Sequence, residues 1–366
     1  MTENILQKIS KIDMQGLLGK IPKTLSLPGG GGKKSGLSYG VDVGASSIKV
    51  AGVMCKKNKF EVKELDYYKV ATVSTEQERY KLVSEMLGKI KQEKKLKSGV
   101  HIAISSDNAK MFLHEIPQMG EDETKKAVGW KATQTMANKN QNELTFDYVP
   151  VPPIGVKKEN MQTVFVVASE KTRIIKELAM FAAAGIEVLS VDVDILAELE
   201  ALVCAGYFDD DSRVTLLINV GRQESTLCVV QGKAPYFTRN MKVGGEAFSS
   251  GNGTAVPDDG GLSRDDIDTI RSIVVSIERD FKFFSYQVAH STITKFDSVL
   301  LTGGGCLIET LSRGLGDMLG VNAVTTKDTG RMEISGDMGK KPNWSAIKDI
   351  MPVFYTAIGL AQRGMP

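Results

Sequence analysis

The sequence predicts an α/β fold built as two related halves, with an α+β unit inserted in the first. Three observations carry this reading. A strand, a Gly-centred turn and a second strand over residues 38–52 (SYGVDVGASSIKVAG) recur in design at 216–230 (LLINVGRQESTLCVV). An apolar strand at 299–302 runs straight into Gly303, Gly304 and Gly305 and then a helix. Between the two hairpins, residues 107–190 change character, with short strands and helices of their own. A chain of 366 residues is long enough for two domains or more.

Residues 1–37 stand apart. Ile5, Ile9, Ile12, Leu17, Leu18 and Ile21 recur among lysines at roughly helical spacing, and Pro28 with the glycines of 29–32 reads as a flexible tether. Two readings stand side by side: a short amphipathic helix that docks on a partner or brushes a membrane surface, and a poorly ordered tail. Beyond it, strands are expected at 41–54 and 59–70, a helix at 75–91 and a buried strand at 100–105. The helix carries Leu82, Val83, Met86, Leu87 and Ile90 at helical spacing.

In the inserted stretch the pattern gives strands at 109–116, 146–150 and 163–168 and helices at 121–136 and 170–184. The second helix is closed by Gly185, and a further strand is expected at 186–193. An Ala- and Leu-rich helix follows at 194–205 and stops at Gly206. After the second hairpin come a strand at 234–242, a Gly- and Asp-rich loop at 249–261 and long helical character across 264–290. A helix at 307–319, mixed structure at 321–334 and a loop at 335–344 precede a closing helix at 351–362, where Ala357 and Gly359 are small enough for close backbone packing. The expected division is an extension and tether at 1–37, a first domain at 38–106 and 191–212, the inserted unit at 107–190, a second domain at 213–350 and the closing helix at 351–366.

Composition narrows the function classes. A formal net charge of +2 gives no electrostatic case for nucleic-acid binding. No apolar run approaches the roughly 20 residues that span a bilayer, and the N-terminal stretch has no signal-peptide pattern. Cys55, Cys204, Cys228 and Cys306 are dispersed in apolar segments, as reduced, packed thiols of a cytosolic protein would be. His101, His114 and His290 form no metal-ligand spacing.

The chemistry concentrates at the three turns. Asp42 ends the first strand and Lys49 lies on the returning one. This D-x-G-x-x-x-x-K spacing differs from a phosphate loop of the G-x-x-x-x-G-K type, which feeds a helix. Small residues between two strands let backbone N–H groups close on an anion, and the same holds at 219–226. The strand–Gly–helix turn at 302–305 offers bare backbone and a helix start. Two hairpins facing each other across a cleft can close on a polyphosphate from both sides.

Taken together, the three turns resemble those of the actin/Hsp70/sugar-kinase superfold. Asp42 and Lys49 match its first phosphate loop, INVGRQESTL its second and LLTGGG its adenosine loop. Within the superfold the chain resembles the PilM family, actin-like proteins of type IV pilus assembly related to the division protein FtsA. The segments that carry the resemblance are GVDVGASSIKVAGV, AAAGIEVLSVDVD, YFTRNMKVGG, SIERDFKFFSYQ, VLLTGGG and AIGLAQRG, from about Tyr39 to Gly364. The resemblance implies an actin/Hsp70-like two-domain fold with an inserted α+β subdomain, binding ATP and Mg²⁺ between two actin-like halves. Asp42 would hold the metal through water, Gly44, Ala45, Ser46 and Ser47 would meet the phosphates, and Lys49 would neutralise them. Asn219, Gly221 and Arg222 would form the second loop, and Gly303, Gly304 and Gly305 would approach the ribose and α-phosphate. Glu278 is a candidate for a ribose or adenine contact, set against an exposed helix glutamate.

One residue departs from the superfold. Asn219 stands where an Asp is usual, which keeps an acceptor and loses a charge, so hydrolysis is expected to be weak or absent. Asp192 and Asp194 fall near the region of a general base, but read more simply as a strand end and a helix cap. The resemblance further implies a partner, the short cytoplasmic N-terminal peptide of a PilN-like membrane protein, held between the inserted unit and the first domain. The chain would then link pilus platform and motor proteins from the cytoplasm, peripheral to the inner membrane. Two alternatives remain. An FtsA-like division scaffold usually adds a C-terminal amphipathic membrane helix, for which nothing follows Gly364, Met365 and Pro366. A small-molecule kinase of the same superfold needs a base carboxylate beside a substrate pocket.

Overall fold

The computed structural model describes residues 36–56, 59–96, 99–137, 139–155, 158–248, 263–363 and 365. The expected N-terminal helix with its tether and the loop expected at 249–261 lie outside the described residues. Strands β1 (Leu37–Val43), β2 (Ser47–Lys56) and β3 (Lys59–Lys69) form an antiparallel meander. The β1–β2 register sets Asp42 opposite Lys49 and Val43 opposite Ile48 at the turn. Ile48, Val50, Ala51 and Val53 are all buried, so β2 is covered on both faces. Helix α1 (Glu76–Lys94) starts with a capping box between Thr75 and Glu78 and buries Val83, Leu87 and Ile90. Strand β4 (Val100–Ile104) then lies parallel to β1.

The inserted unit is a small antiparallel sheet. β5 (Ala109–Pro117) and β6 (Leu144–Val151) flank β7 (Met161–Glu170), and α2 (Glu121–Thr135) packs on it. Ile116, Val128, Val164 and Val166 form its own buried cluster. The strand read at the end of this unit goes elsewhere. β8 (Val188–Val193) pairs parallel with β4, and the preceding helix α3 (Lys171–Ala183) packs on α1. Hydrogen bonding thus returns the chain to the first sheet before residue 190.

Helix α4 (Asp194–Ala205) has the bounds read from sequence, because Gly206 takes the left-handed conformation, φ 89°, that stops it. A second meander follows, β9 (Val214–Val220), β10 (Ser225–Gln231) and β11 (Ala234–Met241). Helix α5 (Arg264–Phe283) ends earlier than its apolar pattern suggests, in a wider turn over Phe284–Val288. β12 (Ser298–Thr302) lies parallel to β9, with Thr302 beside Asn219. This repeats the arrangement of β4 beside β1. Helix α6 (Glu309–Leu319) and β13 (Asn322–Thr325) complete the half. The region read as mixed structure also holds β14 (Glu333–Ile334), which crosses back to pair with β3. The two large sheets run β14-β3-β2-β1-β4-β8 and β11-β10-β9-β12-β13.

Helix α7 (Tyr355–Gln362), preceded by a tight turn over Met351–Phe354, is buried along its whole length. A Cβ on Gly359 would collide with the Ala197 carbonyl of α4, and one on Gly40 of β1 with the Ala357 carbonyl. The helix therefore touches both neighbours backbone to backbone. The two chain crossings also run together: Arg331 N–H donates to Ala205 O at 2.9 Å and the Tyr207 hydroxyl to Asp328 O at 3.0 Å. Gly359→Ala is expected to destabilise the fold by about 3 kcal/mol in chemical unfolding, as overpacking against fixed backbone does. Gly88→Ala in α1, where an added Cβ meets nothing within 4 Å, is expected to stabilise by about 0.5–1 kcal/mol.

Candidate functional site

The turns of the two meanders face one cleft of about 1180 Å³. In the first turn Gly44 N–H donates to Ser47 O at 2.9 Å, and Arg79 from α1 donates to Gly44 O at 2.9 Å and Ala45 O at 3.0 Å. Lys49 Nζ sits 2.9 Å from Asp42 Oδ2, both half-buried at the cleft wall. In the second turn Gly221 N–H donates to Glu224 O at 3.0 Å. Gly245 N–H, beyond β11, donates back to Gly221 O at 2.8 Å. Arg222 is ion-paired with Glu246 at 3.2 Å.

The third turn packs directly on the second. Gly303 has φ 78°, and an added Cβ would lie 2.5 Å from Asn219 Oδ1 and 2.8 Å from Val220 O; one on Gly305 would strike the Val220 side chain. These glycines have a packing reason to be glycine, apart from any approach to a ligand.

Beneath the turns, α4 contributes two carboxyl groups one helical turn apart. Asp194 accepts from Ser106 N–H at 3.0 Å, from Ile195 N–H at 2.6 Å and from the Ser106 hydroxyl. Burial, with the Asp42 charge adding, pushes its carboxyl up to about 6. Glu198 is fully buried; one oxygen accepts from Asn219 Nδ2 at 2.7 Å and the other is hydrogen-bonded to Thr302 Oγ1 at 2.7 Å. Burial raises it to about 8 despite those bonds, with Asp194 and Asp42 adding to the effect.

Asp42, Gly44, Ala45, Ser46, Ser47, Lys49, Asn219, Gly221, Arg222, Gly303, Gly304 and Gly305 all line this cleft. Glu278 does not. It is exposed, off the buried stripe of Asp266, Ile270, Ile273, Val274, Ile277 and Phe281, and the α5 residue lining the cleft is Asp266. Asp192 also turns away, held by Arg363 at 2.5 Å, whereas Asp194 faces the cleft. Sequence reading passed over Arg79, Glu198 and Asp266. The i, i+4 spacing of Asp194 and Glu198 was the available signal, since it places both on one helix face.

The donor set fits a polyphosphate: a lysine, an arginine-braced turn and three stretches of backbone. Among the described residues no group of three or more His, Cys, Asp or Glu is placed to hold a metal ion alone. A divalent ion here would share its shell between Asp42, water and phosphate oxygens, the usual mode of Mg²⁺.

A second concavity of about 570 Å³ lies between the inserted sheet, α4 and the β10–β11 turn. Val149, Val151, Phe165, Leu199, Val203 and Tyr236 make it largely apolar, and Arg363, 2.9 Å from Glu200, closes one side.

Two sheets of repeated design with the cleft between their turns define an actin-like fold. The family described as type IV pilus assembly protein PilM matches residues 40–251. The chain belongs to this PilM family. No curated protein matches it. Among solved structures it is similar to the PilM-PilN type IV pilus biogenesis complex, at 21% identity over 91% of this chain and 100% of that one, with a TM-score of 0.73. It also matches the ethanolamine utilization protein EutJ from Carboxydothermus hydrogenoformans, at 13% identity over 99% and 100% of the two chains, with a TM-score of 0.43. No helix among the described residues is long and apolar enough to cross a membrane.

Glu198 makes stability pH-dependent. The folded chain holds its proton up to about pH 8, whereas the ordinary value is 4.5. Between these the folded state binds more protons than the unfolded, so stability falls as pH rises. Glu198→Gln is expected to melt above the wild type beyond pH 8, with the gap closing toward pH 4.5; a constant gap in a melting series would contradict this.

Proposed function

We propose that this chain is a cytoplasmic scaffold of the type IV pilus inner-membrane platform that binds ATP with Mg²⁺ in the cleft between its two actin-like halves. The observation that carries the reading is the convergence of Asp42 with Lys49, the Asn219–Arg222 turn and Gly303–Gly305 on one cavity. In the free chain Asp42 and Lys49 neutralise each other. With nucleotide, Lys49 serves the phosphates and Asp42 the water shell of the ion. Ala45, Ser46 and Ser47 offer backbone and hydroxyl donors from one side and Arg222 from the other, Gly221 shapes the second turn through its N–H bond to Glu224 O, and the three glycines lie toward the nucleoside. Asn219 brings no charge to the second loop, so turnover is slow or absent. Wild-type protein should retain labelled ATP in Mg²⁺, and Lys49→Ala should release it. Phosphate release clearly above a blank and abolished by Asp42→Ala would contradict the slow turnover.

The partner in this reading is the short cytoplasmic N-terminal peptide of a PilN-like membrane protein, which brings the chain to the membrane periphery. The family membership supports it, and so does the apolar groove between the inserted sheet and α4. A half-buried wall residue offers the test. Val203→Asp is expected to abolish retention on an immobilised tail peptide while leaving ATP retention intact, because Val203 lines the groove and not the cleft.

A further inference from the structure

The charge missing at position 219 has a counterpart one layer deeper. Glu198 sits directly behind Asn219, fully buried, 2.7 Å from Nδ2. With the acid's proton on the oxygen beside Thr302, whose hydroxyl can turn its own hydrogen to Pro352 O, the oxygen facing Asn219 is an acceptor, and only the NH₂ group of the amide can donate to it. The other oxygen of Glu198 is bonded to Thr302 Oγ1, which also lies 3.3 Å from Pro352 O. Thr302 is beside Asn219 in the β9–β12 register, so the acid is fixed from two strands at once. With its NH₂ turned back, Asn219 presents Oδ1 toward Gly303, at the cleft.

We propose that Glu198 is a positioning residue that aims the Asn219 carbonyl oxygen into the cleft, so that the second loop offers a neutral, oriented acceptor to the water shell of a nucleotide-bound cation. The inference rests on the nucleotide reading above and adds to it the residue that sets the loop's polarity. It also gives a physical reason for asparagine at 219. An aspartate there would face Glu198 carboxyl to carboxyl, and the pair would have to share one proton. An unanchored asparagine could turn its NH₂ toward the cation, where a donor repels it.

The test compares Glu198→Gln with Glu198→Leu in the full chain. Gln keeps an acceptor for the Asn219 amide and a donor for Thr302; Leu keeps the bulk and removes both. Binding of a fluorescent ATP analogue is measured in Mg²⁺ and in chelator. The Leu variant is expected to lose about tenfold in Mg²⁺, the scale of one misdirected hydrogen bond, and much less in chelator. The Gln variant should recover most of that loss. A Leu variant that binds as tightly as wild type in Mg²⁺, or a Gln variant as weak as Leu, would overturn the proposal.

A second readout needs no nucleotide. In protein labelled with ¹⁵N-asparagine, the side-chain NH₂ signal that disappears in Asn219→Asp is identified. It should exchange slowly with water in wild type and Glu198→Gln and quickly in Glu198→Leu. Equal exchange in all three would overturn the orientation even if ATP binds. Slow exchange without any ATP retention by wild type would leave the orientation standing and remove the nucleotide reading instead.

Discussion

The structure depends on one contact, the backbone-to-backbone packing of α7 against α4 and β1. Gly359 against the Ala197 carbonyl and Gly40 against the Ala357 carbonyl leave no space for a single methyl group. Such proximity sets α7 against the first hairpin and α4 alike. It brings Asp194 and Glu198 of α4 to the cleft from below, and Val353 and Thr356 near the start of α7 line it too. The small residues at these contacts set how closely α4, with Asp194 and Glu198, approaches the first sheet, through positions that themselves carry no chemistry.

Much of this was legible in the sequence because it is local. Apolar strands around a Gly turn specify each hairpin locally, and Gly206 stops α4; at the start of α4 the cap position is Val193, and Asp194 is the first helical residue and not the cap. The shared design of the two turns pairs Asp42 and Lys49 with Asn219, whereas Gly303, on a strand–Gly–helix turn outside the repeat, joins them only through the resemblance to the superfold. What was not legible depends on distant partners. A two-residue strand such as β14 exists only because β3 offers it an edge, and no periodicity announces it. β8 reads as a strand in either unit, and its pairing with β4 alone assigns it.

The directions of side chains were the other limit. Glu278 and Asp266 lie on the same helix, and only the burial stripe of α5 tells which of them meets the cleft. Glu198 sits in a helix of Ala and Leu, where a glutamate ordinarily marks the solvent face. Its burial is tolerated because Asn219 and Thr302 meet both oxygens, a circumstance that only the assembled strands create. The glycines at 303 and 305 show the converse: correctly placed from sequence, they answer first to Asn219 and Val220.

The path of the chain between its sheets has a mechanical consequence. It passes from the first sheet to the second after α4 and returns through β14, and the two passages are bonded side by side, Ala205 to Arg331 and Tyr207 to Asp328. Both strands of this tether lie at the far end of α4 from Asp194. Any widening of the cleft that keeps this tether has to part the Glu198 bonds to Asn219 and Thr302 and the Asp107 bonds to Asn240 and Lys242, so the closed arrangement is latched at the mouth as well as joined at the back.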